Sequence, residues 1–254
     1  MNLRRRLHAA GLDKAEMINV QRRLFLRTGL TLGAATLLSG CDVITNTAPV
    51  DGFLRMISSF NDGVQAALFS PDRLAPTFPE HMVAPSFRYN AQYGPERIHD
   101  INPERWRLEV SGLVSDKTPW TLDRLKSLPQ RADVTRHVCV EGWSMIGKWG
   151  GVPLGTFLEK VGADLSAKYV AFRCDDPISY DTSIDMASAR HPQTIMCLTY
   201  ADKPLEPIFG APMRIKIPVK LGFKQPKFVS SIHVTNDYPG GYWERYGYNW
   251  FAGL

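Results

Sequence analysis

An α+β domain of short strands mixed with brief helices is what this sequence of 254 residues predicts. Three observations carry that expectation. Short segments rich in Val, Ile, Phe and Tyr recur through the second half of the chain, with the composition of strands. The helical patterns between them are few and brief, too few to cover both faces of a doubly wound parallel sheet. No Gly-x-Gly-x-x-Gly or Gly-Lys-Ser/Thr loop opens a nucleotide-binding unit.

In chain order, Phe53, Leu54, Ile57, Phe60, Val64 and Leu68 repeat at helical spacing, which predicts a helix over 51–69. The plain reading packs this helix on the domain; the alternative docks it on a membrane partner. Residues 70–85, "SPDRLAPTFPEHMVAP", hold four prolines and read as an extended strap. Trp106, Leu108 and Val110 alternate as a half-buried strand does. "TLDRLKSLP" and "PLGTFLEKVG" read as short helices, and "KYVAFRC", "TIMCLTY", "PMRIKI" and "KFVSSIHV" as strands. With no internal repeat, residues 41–254 suit one core and are short for two.

The front of the chain reads as an address. Gln21-Arg22-Arg23-Leu24-Phe25-Leu26-Arg27 precedes a mildly apolar run from Leu30 to Leu38, shorter than the roughly 20 residues that span a bilayer. The arginine pair resembles a twin-arginine export signal. Leu38-Ser39-Gly40-Cys41 resembles a bacterial lipobox, which would lipidate Cys41 and make it an anchor, not a catalyst. Asp42 behind it implies retention on the inner membrane. The organisation expected is therefore a signal over 1–40, a helix and strap over 41–85, and the main domain over 86–254. The whole chain carries a net charge of +5, and residues 1–40 alone account for it. The mature part is near neutral and gives no reason to invoke nucleic acid.

One stretch concentrates chemistry: "RHVCVEGWSMIGKWGGVPL", residues 136–154. At the strand period of two, Val134, Arg136, Val138 and Val140 share one face, and Thr135, His137, Cys139 and Glu141 the other. A core cysteine belongs with the valines; Cys139 points with the polar set, where a thiolate can be stabilised. Beyond Cys41 the cysteines are Cys139, Cys174 and Cys197, an odd count that leaves at least one thiol unpaired or ligated. Cys-x-x-Cys and His-x-x-x-His are both missing, which argues against zinc. A Cys–His hydrolase using His137, His191 or His233 stays open, without a local nucleophile motif.

Cys139-Val140-Glu141-Gly142-Trp143-Ser144-Met145, followed by Trp149-Gly-Gly-Val-Pro-Leu154, closely resembles the molybdenum-binding segment of the sulfite oxidase superfamily. Within it the resemblance is to bacterial, Tat-exported methionine-sulfoxide-reductase catalytic subunits, and it runs from about Phe87 to the end. It implies a single sulfite-oxidase-type molybdopterin-binding domain with molybdenum-molybdopterin as cofactor and Cys139 as the metal's thiolate ligand, a soft sulfur suited to that metal. Ser179-Tyr180-Asp-Thr-Ser-Ile184 resembles the segment bearing the active-site tyrosine, which implies that Tyr180 hydrogen-bonds the substrate. Gly210-Ala-Pro-Met-Arg214 and Gly222-Phe223-Lys224-Gln-Pro-Lys227 resemble the runs that hold the pterin, implying cofactor contacts from Arg214, Gly222, Phe223, Lys224 and Lys227. Arg88 and Asn90 are implied pocket residues.

Two departures bear on the substrate: Cys174 stands where the reductases have a cofactor-contacting threonine, and Phe209 replaces the Asn or His before Gly210. Sulfite oxidases carry an arginine just after the metal cysteine; Val140–Met145 contains none. A neutral sulfoxide, small or protein-bound, therefore fits better than sulfite, with sulfite oxidation and a non-catalytic lipoprotein binding module as alternatives. No Cys-x-x-Cys-His haem motif occurs, so the expectation is a separate electron-transfer protein, such as a membrane haem protein. The implied location is periplasmic, on the inner membrane through Cys41.

Overall fold

The computed structural model describes residues 48–98 and 100–254; the arginine pair, the lipobox and Cys41 lie outside the described residues. The chain divides into residues 1–57 and 58–254. Of the first unit, the described part is the start of helix α1 (Ala48–Leu68). The second holds ten strands: β1 (Arg107–Gly112), β2 (Trp120–Thr121), β3 (Arg131–Val138), β4 (Ser144–Pro153), β5 (Tyr169–Cys174), β6 (Asp181–Asp185), β7 (Ile195–Tyr200), β8 (Lys203–Pro204), β9 (Arg214–Lys216) and β10 (Val229–Thr235). Between them run the short helices α2 (Leu122–Lys126), α3 (Leu154–Lys160) and α4 (Met186–Arg190), and α5 (Tyr242–Arg245) follows β10.

Two sheets result, one mixed and one antiparallel, as the α+β expectation requires. One has the order β2-β1-β10-β5-β6; the other runs β3-β4-β7-β8, with β9 also paired to β7. Only β1 and β10 pair in parallel; the remaining described pairs are antiparallel. Leu108 and Val110 are buried from β1, as their alternation predicts. Thr121 caps α2 by accepting the Arg124 amide at 3.1 Å, and Trp120 meets Phe157 of α3 edge-on at 5.1 Å. The expected strands and two expected helices are all present. Helix α4, capped by Asp185 accepting the Ser188 amide at 2.7 Å, carries too few apolar residues for periodicity to reveal it.

The main core collects Trp106, Leu108, Trp120, Phe157, Phe172 and Ile232 with their neighbours. A second cluster, Phe87, Trp149, Ile195, Cys197, Tyr200, Leu205 and Phe209, fills the space under β4 and β7. The site described below is built on this second cluster.

Two expectations need correction. The period-two alternation of β3 holds from Thr135 onward, where the buried face is the polar one: Thr135, His137 and Cys139 are buried while Val140 is 45% exposed, and Val134 is the one valine of its face that is buried. A polar strand face goes inward when the interior offers it partners. Helix α1 is also turned the other way from a helix packed by its apolar stripe. The Asp62 carboxylate accepts the Asn249 amide at 2.6 Å and the Phe251 backbone N–H at 2.7 Å, and Gln65 accepts the Gly253 N–H at 3.1 Å. Polar side chains thus tie this helix to the C-terminal segment, and Phe60 and Leu68 are left outward, 67% and 81% exposed.

Candidate active site

A cavity of about 360 Å³ opens at the end of β3 and gathers most of the chemistry-bearing residues. Its wall includes Arg88, Asn90, His137, Cys139, Glu141, Tyr180, Phe209, Arg214, Gly222, Phe223 and Lys227. Eight of the sequence-predicted residues therefore meet in one place: Arg88, Asn90, Cys139, Tyr180, Arg214, Gly222, Phe223 and Lys227. Lys224 and Cys174 do not line it. Lys224 is fully buried and donates to the Glu244 carboxylate. Cys174 sits in the main core beside Phe172 and Val229.

Cys139 leaves β3 into a tight turn, with its backbone N–H on the Trp143 carbonyl at 2.9 Å and its own carbonyl accepting from Gly142 at 3.2 Å. Gly142 supplies the left-handed backbone (φ +87°) this turn needs. The turn aims the sulfur into the cavity. The Asn90 amide donates to Cys139 Sγ at 3.0 Å and to Glu141 Oε2 at 3.3 Å, and Trp143 Nε1 donates to the same oxygen at 2.8 Å. Glu141 Oε2 lies 3.8 Å from Sγ. Burial pushes the thiol above its ordinary value, while the Glu141 backbone N–H and the Asn90 amide pull it back. The polar face therefore does not by itself give a thiolate.

Behind the sulfur lies a set of buried cations. Arg214 and Lys216 share a face of β9, the alternation visible in "RIK". The Arg214 guanidinium lies 4.9 Å from the Trp149 ring and Lys216 Nζ 5.4 Å from it, a contact that offsets part of the cost of burial. Lys216 donates to Gln225 Oε1 at 2.8 Å and stands 3.2 Å from His137 Nδ1. Neither cation forms an ion pair among the described residues, and Arg214 Nε is buried with no partner. Burial draws Arg214 down to about 10. It takes Lys227 to about 7, with the Arg214 charge adding to the effect. His137 is held well below its usual value by burial and then by Lys216, so it is neutral.

The loop that returns to this cluster needs glycine twice. Gly210 has φ +103°, and a Cβ there would stand 2.5 Å from Lys227 Cβ. A Cβ on Gly222 would stand 2.5 Å from His137 Nε2. Lys227 Nζ donates to the Asn90 carbonyl at 2.6 Å, linking this loop to the segment that touches the sulfur. Tyr180 donates its phenol proton to the Phe223 carbonyl. Burial raises that phenol well above its ordinary value, so it stays protonated.

Sequence reasoning missed Lys216 and Gln225 as site residues and weighed His137 only as a hydrolase partner. The two-residue spacing from Arg214 could have found Lys216; no local signal marks Gln225. Cys139, Cys174 and Cys197 are all free thiols, so the odd count leaves more than one unpaired. Among the described residues no cluster of His, Cys, Asp and Glu suits a metal held by protein side chains alone. What the arrangement can hold is an anionic group: buried cations without counter-charges, an orphaned Arg214 N–H, and a single sulfur facing open space.

The comparisons with known proteins agree with that chemistry. Residues 95–243 match the model of the oxidoreductase molybdopterin binding domain. A putative protein-methionine-sulfoxide reductase subunit, YedZ1, of Azospira oryzae is 54% identical over 91% of this chain and 87% of its own length. The protein-methionine-sulfoxide reductase catalytic subunits MsrP of Campylobacter jejuni and Burkholderia mallei are 28% and 32% identical over 61% and 60% of the chain. The chain spans 58% and 50% of their lengths. Among solved structures, the sulfane dehydrogenase SoxCD of Paracoccus pantotrophus shares the fold, with a TM-score of 0.52 at 18% identity over 55% of this chain and 40% of that one. The fold, the cation-lined cavity and the match over residues 95–243 together place this chain in the family of molybdopterin-binding oxidoreductases.

Proposed function

We propose that this chain is an exported catalytic subunit that removes the oxygen atom of a neutral sulfoxide, small or protein-bound, with its molybdenum-pterin cofactor held in the 360 Å³ cavity. One observation carries the substrate reading. The charge nearest the Cys139 sulfur is the Glu141 carboxylate, 3.8 Å away, which disfavours an anion such as sulfite and leaves a neutral substrate untouched. The names of the YedZ1 and MsrP relatives support the same substrate class.

When bound, the cofactor supplies the two-electron oxygen-atom chemistry. The overall balance takes a sulfoxide, two electrons and two protons to a sulfide and water. Cys139 would hold the metal as its thiolate ligand, although burial by itself favours the thiol. Asn90 fixes the sulfur's direction through the 3.0 Å N–H···S contact. Arg214 and Lys227, backed by Lys216 and by the neutral His137, hold the cofactor's anionic groups, and Gly222 and Phe223 let backbone approach it. Tyr180 stands on the wall with its proton on Phe223, so it offers substrate an acceptor oxygen; acting as a donor requires that bond to open. Cys174 and Lys224 support the wall from behind. Arg88, whose guanidinium lies 5.1 Å from the Trp143 ring, is the exposed cation at the cavity and the single feature that favours sulfite.

Electrons come from a separate redox protein, in keeping with the missing haem motif and the relative named as a subunit. The Arg22-Arg23 block and the lipobox support twin-arginine export to the periplasm and an inner-membrane anchor at Cys41. Among the described residues no helix is long and apolar enough to cross a membrane.

The test compares substrates on purified holoprotein with artificial redox partners. Sulfoxide reduction should outpace sulfite oxidation, and Cys139→Ser should abolish both, together with the sulfur-to-metal charge-transfer absorption, in a protein that still folds. A preference for sulfite would overturn the substrate reading. An unchanged spectrum with full turnover in Cys139→Ser would overturn the ligand. Absence of molybdenum from the exported protein would leave the binding-module alternative.

A further inference from the structure

Strand β3 has a cavity on each side. His137 and Cys139 face the active site, while Arg136 and Val138 face a second groove of about 580 Å³. That groove is walled mainly by apolar side chains, among them Leu68, Leu74, Phe78, Val138 and Leu254, with Ser70 as its one hydroxyl and Arg73 and Arg136 as its charged residues. Neither arginine forms an ion pair among the described residues; Arg136 rests 5.1 Å from the Phe78 ring. The rim protrudes as hydrocarbon, with Leu68, Leu74 and Leu254 81%, 52% and 61% exposed. Leu68 also ends the outward stripe of α1, where Phe60 and Val64 are exposed and the polar Asp62 and Gln65 are spent on the domain. Stripe, rim and groove form one continuous apolar surface flanked by two unopposed cations.

We propose that this face lies on the surface of an anionic phospholipid bilayer, with the leucine rim and groove taking up acyl chain and Arg73 and Arg136 meeting lipid phosphates. The chemistry matches in layers: guanidinium groups for the headgroup, then hydrocarbon for the tails. Ser70 supplies the one hydroxyl of the groove lining, and no carboxylate or amide side chain stands there, so a protein partner would find few hydrogen-bond groups. The contact is independent of acylation at Cys41, and the active site opens on the opposite side of β3.

The experiment uses the full chain, cofactor-loaded, with Cys41→Ala to remove any lipid anchor, and measures co-sedimentation with phosphatidylglycerol and with phosphatidylcholine vesicles. The leader is common to every variant, so the readout is the ratio between variants. Arg73→Gln with Arg136→Gln should weaken partition onto phosphatidylglycerol about thirtyfold, from roughly 1 kcal/mol per arginine, and leave phosphatidylcholine binding unchanged. Leu68→Ser with Leu74→Ser should weaken both. Amide exchange over residues 68–78 should slow on the vesicles, and sulfoxide turnover with an artificial donor should stay the same in all variants, which shows the fold intact. Variants that bind like the parent overturn the proposal. So does binding that requires a purified membrane redox protein in the vesicles, which would assign the face to that protein. A dimer that the leucine changes dissolve would assign it to a second copy.

Discussion

The Lys224–Glu244 pair separates structural from cofactor-binding lysines in the loop. Lys224 Nζ donates to Glu244 Oε1, with side chains 0% and 4% exposed, and the same oxygen accepts from Thr182 Oγ1 at 3.0 Å. Glu244→Gln keeps the shape and removes the counter-charge. Burial already draws the Lys224 ammonium below its ordinary value, and the Glu244 charge beside it is what chiefly opposes that. Breaking a buried pair from one side costs about 3–5 kcal/mol. Loss of the proton from Lys224 caps the cost, so the low end of about 3 kcal/mol applies. For a domain of this size each kcal/mol moves Tm by about 2–4 °C, which gives a fall of about 6–12 °C. Thermal unfolding of the holoprotein measures this, with molybdenum content measured in the same samples. Adding Lys224→Met should restore most of the loss, a coupling on the order of 2 kcal/mol in a double-mutant cycle. An unchanged Tm with lost cofactor would refute the reasoning and make Lys224 a direct cofactor ligand.

Gly222→Ala should impair cofactor retention, because its Cβ would stand 2.5 Å from His137 Nε2 and 3.3 Å from the Val138 carbonyl; molybdenum content per chain reads this out. In cofactor-free protein, Lys227 at about 7 against an ordinary 10.5 means the unfolded chain binds the extra proton between those values. Its penalty is full below about pH 7 and fades as pH rises toward about 10.5, so the urea midpoint should rise over that window and Lys227→Met should flatten the rise. Replacing Arg22 and Arg23 with Lys should leave precursor in the cytoplasm; unchanged export in a fractionation assay would refute the twin-arginine assignment.

Much of this was legible in the sequence because local chemistry determined it. The alternation of Leu108 and Val110 and the Thr121 cap act within a few residues, and Cys139 stands in a motif whose turn is self-contained. Arg214 and Lys227 are legible through the resemblance of their runs to those that hold the pterin, and the glycines of those runs stand where a Cβ would meet Lys227 and His137. Lys216 and Gln225 were missed because they matter through each other and through His137, 79 and 88 positions away. The inward turn of Thr135, His137 and Cys139 escapes the pattern for the same reason: valines imply the core face only when the other face has no buried partners. For α1, Asp62 and Gln65 outcompete the apolar stripe by bonding to backbone N–H groups near the C-terminus, and periodicity cannot register that.

The uncompensated cations beneath Trp149 have a consequence for how the cell handles this protein. Burial works against the charges of Arg214, Lys216 and Lys227, none of which forms an ion pair among the described residues, and a tight anionic ligand adds about 4 kcal/mol of stability at a thousandfold excess over its dissociation constant. Loading and survival are thereby the same event. Empty chains are the ones that open and reach proteases, while loaded ones persist. Scarcity of molybdenum should then show as fewer molecules of the protein, not as a pool of inactive ones, and the abundance of the chain becomes a readout of metal supply.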